Sequence, residues 1–110
     1  MSFRDAVIRE PKTKEVEAFG KTVTVIEMEA TDRLEYYSFI SKIQDDSVSS
    51  ERAGVLNYAY IVVKCAVENG ERVFSDDEVE AVAKTKDFDS LANIYHAAAD
   101  LNGLRTEGND

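Results

Sequence analysis

One segment limits the folds open to this chain more than any other. Thr22-Val23-Thr24-Val25-Ile26 is a β-branched run inside a sequence otherwise patterned for helix. Such side chains fit a pleated surface and lose rotamer freedom in a helix. Upstream, Val16 and Ala18 alternate with Glu15 and Glu17, and Phe19, Gly20 and Lys21 supply a turn. Two short runs around a glycine turn predict a β-hairpin within residues 14–29. A two-stranded hairpin is marginal alone in water. It must pack on helices or pair its edges with another copy of the chain.

The rest of the sequence reads as helix. Ser2 caps a short N-terminal helix, with Asp5 three residues on and Phe3, Ala6 and Val7 on one face. Pro11 ends it. A second helix starts at Thr31 or Asp32, with Leu34, Tyr37 and Ile40 in one apolar row and Tyr36, Phe39 and Ile43 in another. Polar residues 44–51 form a loop or helix start. Val55, Leu56, Ala59, Val62, Val63 and Ala66 then mark a long buried helix expected to end at Asn69-Gly70, with Gly70 in the left-handed position.

Ser75 and Glu78 form a capping box, flanked by the hydrophobic staple of Phe74 and Val79. Asp87 caps the last helix, whose core stripe is Leu91, Ile94, Tyr95, Ala98 and Leu101. Asn102-Gly103-Leu104 closes it as a Schellman motif. The expected fold is mainly α, of the α+β kind: a bundle of about four to five helices with a small N-terminal β-hairpin. Residues 1–105 form a single domain and residues 106–110 a flexible tail.

Charge narrows the partners. The chain has 110 residues, 13 basic and 22 acidic, for a formal net charge of −9. Residues 1–65 hold 11 acidic and 9 basic side chains, and residues 66–110 hold 11 and 4, so the excess lies in the C-terminal part. Asp76, Asp77 and Glu78 account for some of it, because negative charge is favoured in a first helical turn. The acidity argues against nucleic acid, since neutralising phosphates needs Lys and Arg. It suits a basic partner. No apolar run approaches the length of a membrane span, and no signal-peptide pattern opens the chain.

Catalytic chemistry is not visible. His96 is the single histidine, and no motif pairs it with a nucleophile. Cys65 is the single cysteine and sits on the long apolar helix, where a thiol behaves as a small hydrophobe. The carboxylates at 76–78, 45–46 and 87–89 lack the ligand spacing of a calcium loop. No metal or other cofactor is expected, and no enzyme. Five tyrosines, at 36, 37, 58, 60 and 95, cannot all face one core. Some are expected at an interface.

The order of several segments resembles the tail assembly chaperones of long-tailed bacteriophages and prophages. They are Phe3-Arg4-Asp5-Ala6, the β segment from Glu15 to Val25, Asn69-Gly70-Glu71-Arg72-Val73-Phe74-Ser75-Asp76-Asp77-Glu78-Val79, and Ala97 through Leu104 with its Leu-Asn-Gly-Leu end. The resemblance covers nearly the whole chain, and its motifs are caps, staples and core positions. This chain departs from the family at the hairpin turn, Ala18-Phe19-Gly20-Lys21.

The resemblance implies a non-enzymatic role in the cytoplasm of the bacterial host. Such a protein binds the tape measure protein, keeps its apolar helices from aggregating, helps tail tube protein polymerise around it, and is absent from the finished virion. Many are made in two forms, the longer by ribosomal frameshift. On that reading, self-association to a homo-oligomer is expected through the hairpin edge around Val23 and Val25 or the short helix carrying Phe3 and Val7. Contact with the client is expected through Tyr36 and Tyr60. Neither nucleic acid nor membrane is an expected partner. The alternative is a structural phage component, such as a head–tail connector or tail terminator subunit. A third reading is a small acidic regulator that binds a host protein, for example as a nucleic-acid mimic.

Overall fold

The β-branched run is a strand. The computed structural model describes residues 2–45 and 48–104; Asp46 and the expected tail 106–110 lie outside them. After a short helix α1 (Phe3–Val7), strands β1 (Thr13–Ala18) and β2 (Lys21–Ile26) pair antiparallel, from Thr13 opposite Ile26 to Ala18 opposite Lys21. The connection is only Phe19-Gly20. Both residues have positive φ, 56° and 72°, the mirror-image turn whose twist matches that of the strands it joins. Val16, Ala18, Val23 and Val25 point to one face, and Val25 is completely buried.

Two 16-residue helices follow, α2 (Ala30–Asp45) and α3 (Ser50–Cys65). Of the two apolar rows on α2, the one with Tyr36 and Ile43 is buried. Leu34 and Tyr37, about a third of a turn round, face solvent. Ser49 caps α3: its side chain accepts the Arg52 N–H at 3.2 Å.

The long helix does not run to Asn69-Gly70. It stops at Cys65, where Ala66 turns extended (φ −76°, ψ 124°). Ala66–Glu68 becomes β3, which pairs antiparallel with β2 through Thr24 opposite Val67 and Val25 opposite Ala66. Asn69-Gly70, with φ of 54° and 81°, is a second mirror-image turn into β4 (Glu71–Arg72). Among the described residues the sheet therefore has four strands, in the order β1-β2-β3-β4. The fold is mixed α+β and not a bundle with a lone hairpin. The physical reason is the exposed edge of β2, whose backbone groups need partners. β3 supplies them from within the chain.

A 3-10 turn (Asp76–Glu78) leads into short α4 (Val79–Ala83), and α5 (Phe88–Asn102) ends the described chain. The capping box forms: Glu78 Oε1 accepts the Ser75 N–H at 2.8 Å. Asp87 accepts the Ser90 N–H at 3.1 Å to cap α5. At the other end Leu104 N–H donates to Ala99 at 2.8 Å, and Gly103 is left-handed (φ 68°), which is the Schellman geometry.

α5 packs across β1 and β2 and against α3. The core lies between them, around Val25, Ile61, Val62, Leu91, Ile94, Tyr95 and Ala98. Each large side chain buried there stabilises the fold by about 1.5–3 kcal/mol. Among the described residues no helix is long and apolar enough to cross a membrane.

Candidate functional site

The two turns and the capping box meet around an open groove of about 510 Å³. Its floor is Val62, Ala66 and Ile94. Its walls are Val73, Phe74, Ala81 and Val82 on one side and Ala18, Phe19 and Val23 on the other. Local sequence explains the walls: the Ser75–Glu78 box directs the chain from β4 into α4, and Phe74, just before the cap, tucks its ring against the core. Charged groups occur at the rim, where Glu68, Glu78 and Lys21 line the opening. An apolar trough with a charged rim suits the non-polar face of another molecule.

Phe19 stands at the mouth of this groove, 41% exposed. Its backbone is held in place from α5: the Phe19 N–H donates to Ser90 Oγ at 2.8 Å, and Ser90 Oγ donates to Asp87 Oδ2 at 2.7 Å. The Ser90 hydrogen bonds also hold the Asp87 carboxyl below its usual range. The same side chains therefore cap α5 and anchor the hairpin tip.

On the far side of α3 lies a buried cation. Lys64 is 5% exposed, and its Nζ contacts Glu35 at 2.7 Å, Asp76 at 3.2 Å and Asp32 at 3.5 Å. Burial alone would lower the Lys64 ammonium, but hydrogen bonds to Glu35 and Asp76 outweigh it and hold it above the usual lysine range. Arg72 joins through Asp76 at 2.7 Å and also donates to the Val63 carbonyl. The cluster ties α2, α3, β4 and the 3-10 turn together. A lysine in the last turn of a helix looks solvated in sequence, so nothing local marked this one.

The tyrosines divide into two groups. Tyr36, Phe39 and Tyr60 fill the α2–α3 contact, with Phe39 stacked on Tyr60 at 4.4 Å, and Tyr37 lies outside it against Tyr36. Tyr58 stacks on Tyr95 at 4.2 Å and contacts Phe88 at 5.7 Å between α3 and α5. Tyr36 is not an exposed aromatic: it is buried, and its hydroxyl donates to Asn57 Oδ1 at 2.5 Å. Burial pushes its phenol above the usual range. Tyr60 is half-buried beneath Lys64, whose Nζ lies 5.6 Å from the ring centre. The exposed neighbour is Tyr37.

The four residues assigned to self-association separate as well. Val25 is inside the core and its strand edge is taken by β3, so it offers no free edge. Val23 is half-buried in the groove wall. Phe3 and Val7 are 85% and 64% exposed on α1, at the opposite end of the hairpin from its turn. The structure does not bring the two pairs together.

His96 is exposed on α5, edge-on to Tyr95 at 5.4 Å. Cys65 is buried beside Asn102, and burial pushes its thiol up to about 12, which leaves it protonated at neutral pH. Among the described residues no group of three or more His, Cys, Asp or Glu side chains is placed to hold a metal ion.

No protein-family model and no curated protein sequence matches the chain. A solved structure does: the tail assembly chaperone of bacteriophage HK97 superposes with a TM-score of 0.55, covering 86% of this chain and 94% of that one at 15% identity. The four-stranded sheet and its helices thus follow the fold of a phage tail assembly chaperone.

Proposed function

We propose that this chain is a tail assembly chaperone of a long-tailed phage or prophage, acting in the bacterial cytoplasm without catalysis. It binds the tape measure protein, keeps it soluble and assists tail tube assembly. The observation that carries this reading is the fold shared with the HK97 chaperone over nearly the full length of both chains. Two features of the chain support it. The groove offers apolar surface for a client. The net charge of −9 keeps a complex with an insoluble client dispersed.

The test is co-expression with the tape measure protein of the same phage. The soluble fraction of that protein is expected to rise when the chaperone is present, and mass spectrometry of purified virions is expected to miss the chaperone. A tape measure protein that stays insoluble, together with this chain in the virion, overturns the proposal in favour of a structural component.

A further inference from the structure

We propose that the groove between the hairpin tips and α4 docks the apolar face of an amphipathic helix flanked by basic residues, with Phe19 as the anchor. That this helix belongs to the tape measure protein rests on the function proposed above; the groove itself does not.

Three observations converge. The first is a backbone conformation. The first position of a mirror-image turn favours Asn, Asp or Gly, because φ there is positive. A bulky side chain at φ 56° is an outlier, and such outliers collect at ligand clamps. Nothing in the hairpin requires phenylalanine there, since the bond to Ser90 comes from the backbone N–H.

The second observation is where that strain places the ring. Phe19 and Val73 are both large, apolar and nearly half exposed, and they stand at the mouth of one groove. Paired apolar anchors over a buried apolar floor of Val62, Ala66 and Ile94 have the form of a binding hot spot.

The third is charge. Glu68 at the rim faces Glu71 directly across the β3–β4 pair. Like charges directly opposite one another destabilise a sheet. With Glu78 also at the rim, carboxylates outnumber the single Lys21 among the lining residues. A Lys or Arg beside the apolar stripe of a bound helix relieves that repulsion, whereas an acidic helix deepens it.

The experiment uses the full chain and a dye-labelled peptide of about five helical turns, with Leu at i, i+3, i+4 and i+7 and Lys on both flanks. A second peptide carries Glu in place of Lys. Anisotropy is expected to show the Lys peptide binding about tenfold more tightly than the Glu peptide. Phe19→Asn and Val73→Asp are each expected to weaken it by about thirty-fold. Asn is favoured at the turn, so the Tm of Phe19→Asn is expected to equal or exceed that of the parent.

Unchanged peptide binding by Phe19→Asn overturns the proposal, as does a Tm loss showing that the ring is a structural prop. Dimers in light scattering that Phe19→Asn dissociates assign the groove to a second copy and overturn it as well. Co-expression separates the two proposals. If the parent solubilises the tape measure protein and Phe19→Asn does so equally, the groove assignment fails alone. If the parent fails, the function fails, and the peptide result still decides the groove.

Discussion

Asn102 holds the backbone of Met28. Its Oδ1 accepts the Met28 N–H at 2.7 Å, and its Nδ2 donates to Ala98 O at 2.9 Å, all within a buried site. Arg33 donates to the Asn102 carbonyl from α2. One residue thus joins the end of α5, the exit of β2 and the start of α2. Asn102→Ala leaves a buried N–H without an acceptor and is expected to destabilise the fold by about 2–3 kcal/mol. Urea unfolding measures this, and faster amide exchange at Met28 locates it.

Lys64 tests how far the charge cluster supports α2. Lys64→Ala removes both the cation and the packing of its stem, and is expected to cost about 2–3 kcal/mol. Lys64→Met keeps the stem. Glu35 and Asp76 are more than half exposed and rehydrate once freed, so its expected cost is about 1 kcal/mol. Equal losses for the two variants in thermal unfolding would mean that the charge, not the stem, carries the effect.

Glu27 gives a pH signature. Its carboxylate accepts two bonds from Arg9, at 2.7 and 2.8 Å, and the Lys12 N–H at 3.1 Å. The Arg9 hydrogen bond, then the Lys12 backbone bond, lower its pKa from 4.5 to about 2. A depressed carboxyl stabilises the fold above its unfolded value and loses that stabilisation as pH falls through the folded one. The link between α1 and the hairpin is therefore expected to hold at pH 5 and to weaken from about 4.5 down to about 2. An NMR titration of the Glu27 carboxyl and the Lys12 amide follows it. Glu27→Gln is expected to cost about 1 kcal/mol at neutral pH, limited by the exposure of Arg9.

The two adjacent tyrosines of α2 are expected to behave differently. Tyr36→Phe loses the bond to Asn57 and is expected to cost about 1 kcal/mol. Tyr37→Ala removes a half-exposed ring and is expected to cost less, about 0.5 kcal/mol. Chemical denaturation of the pair checks the rotation of the helix. A larger loss at Tyr37 would place the buried face on the other row.

Gly70 isolates backbone strain. A Cβ there meets no atom within 4 Å, yet φ is 81°. Gly70→Ala is expected to cost about 1 kcal/mol through conformation alone. Asn69→Gly, in the same turn, is expected to leave the midpoint of unfolding nearly unchanged.

The elements legible in the chain are those closed over short distances. Ser75 meets Glu78, Asp87 meets Ser90 and Leu104 meets Ala99, all within five residues, so side-chain type and spacing suffice to read them. The first hairpin is legible for the same reason, because a glycine turn and β-branched runs act locally. Ala66 illustrates the limit. It continues the apolar stripe of α3, and only pairing with Val25, 41 positions earlier, draws it into a strand. The Asn69-Gly70 turn has the strongest two-residue hairpin signal, but a flanking strand of three residues leaves almost no alternation to detect.

The candidate site divides along the same line. Sequence order and capping chemistry were enough to establish four helical starts or stops, at Ser2, Ser75, Asp87 and Gly103, together with one hairpin and an acidic C-terminal part. They also carried the resemblance to a tail assembly chaperone. Which tyrosine is buried, which lysine is sequestered and where Phe19 stands depend on contacts between elements far apart in the chain. Burial is a property of the surface left after packing, and no residue carries it alone. Tyr36 and Tyr37 have the same chemistry, and Lys64 has that of any surface lysine. Only the meeting of α2, α3 and the sheet separates the first pair, surrounds the lysine with carboxylates and opens an apolar groove beneath a strained aromatic turn.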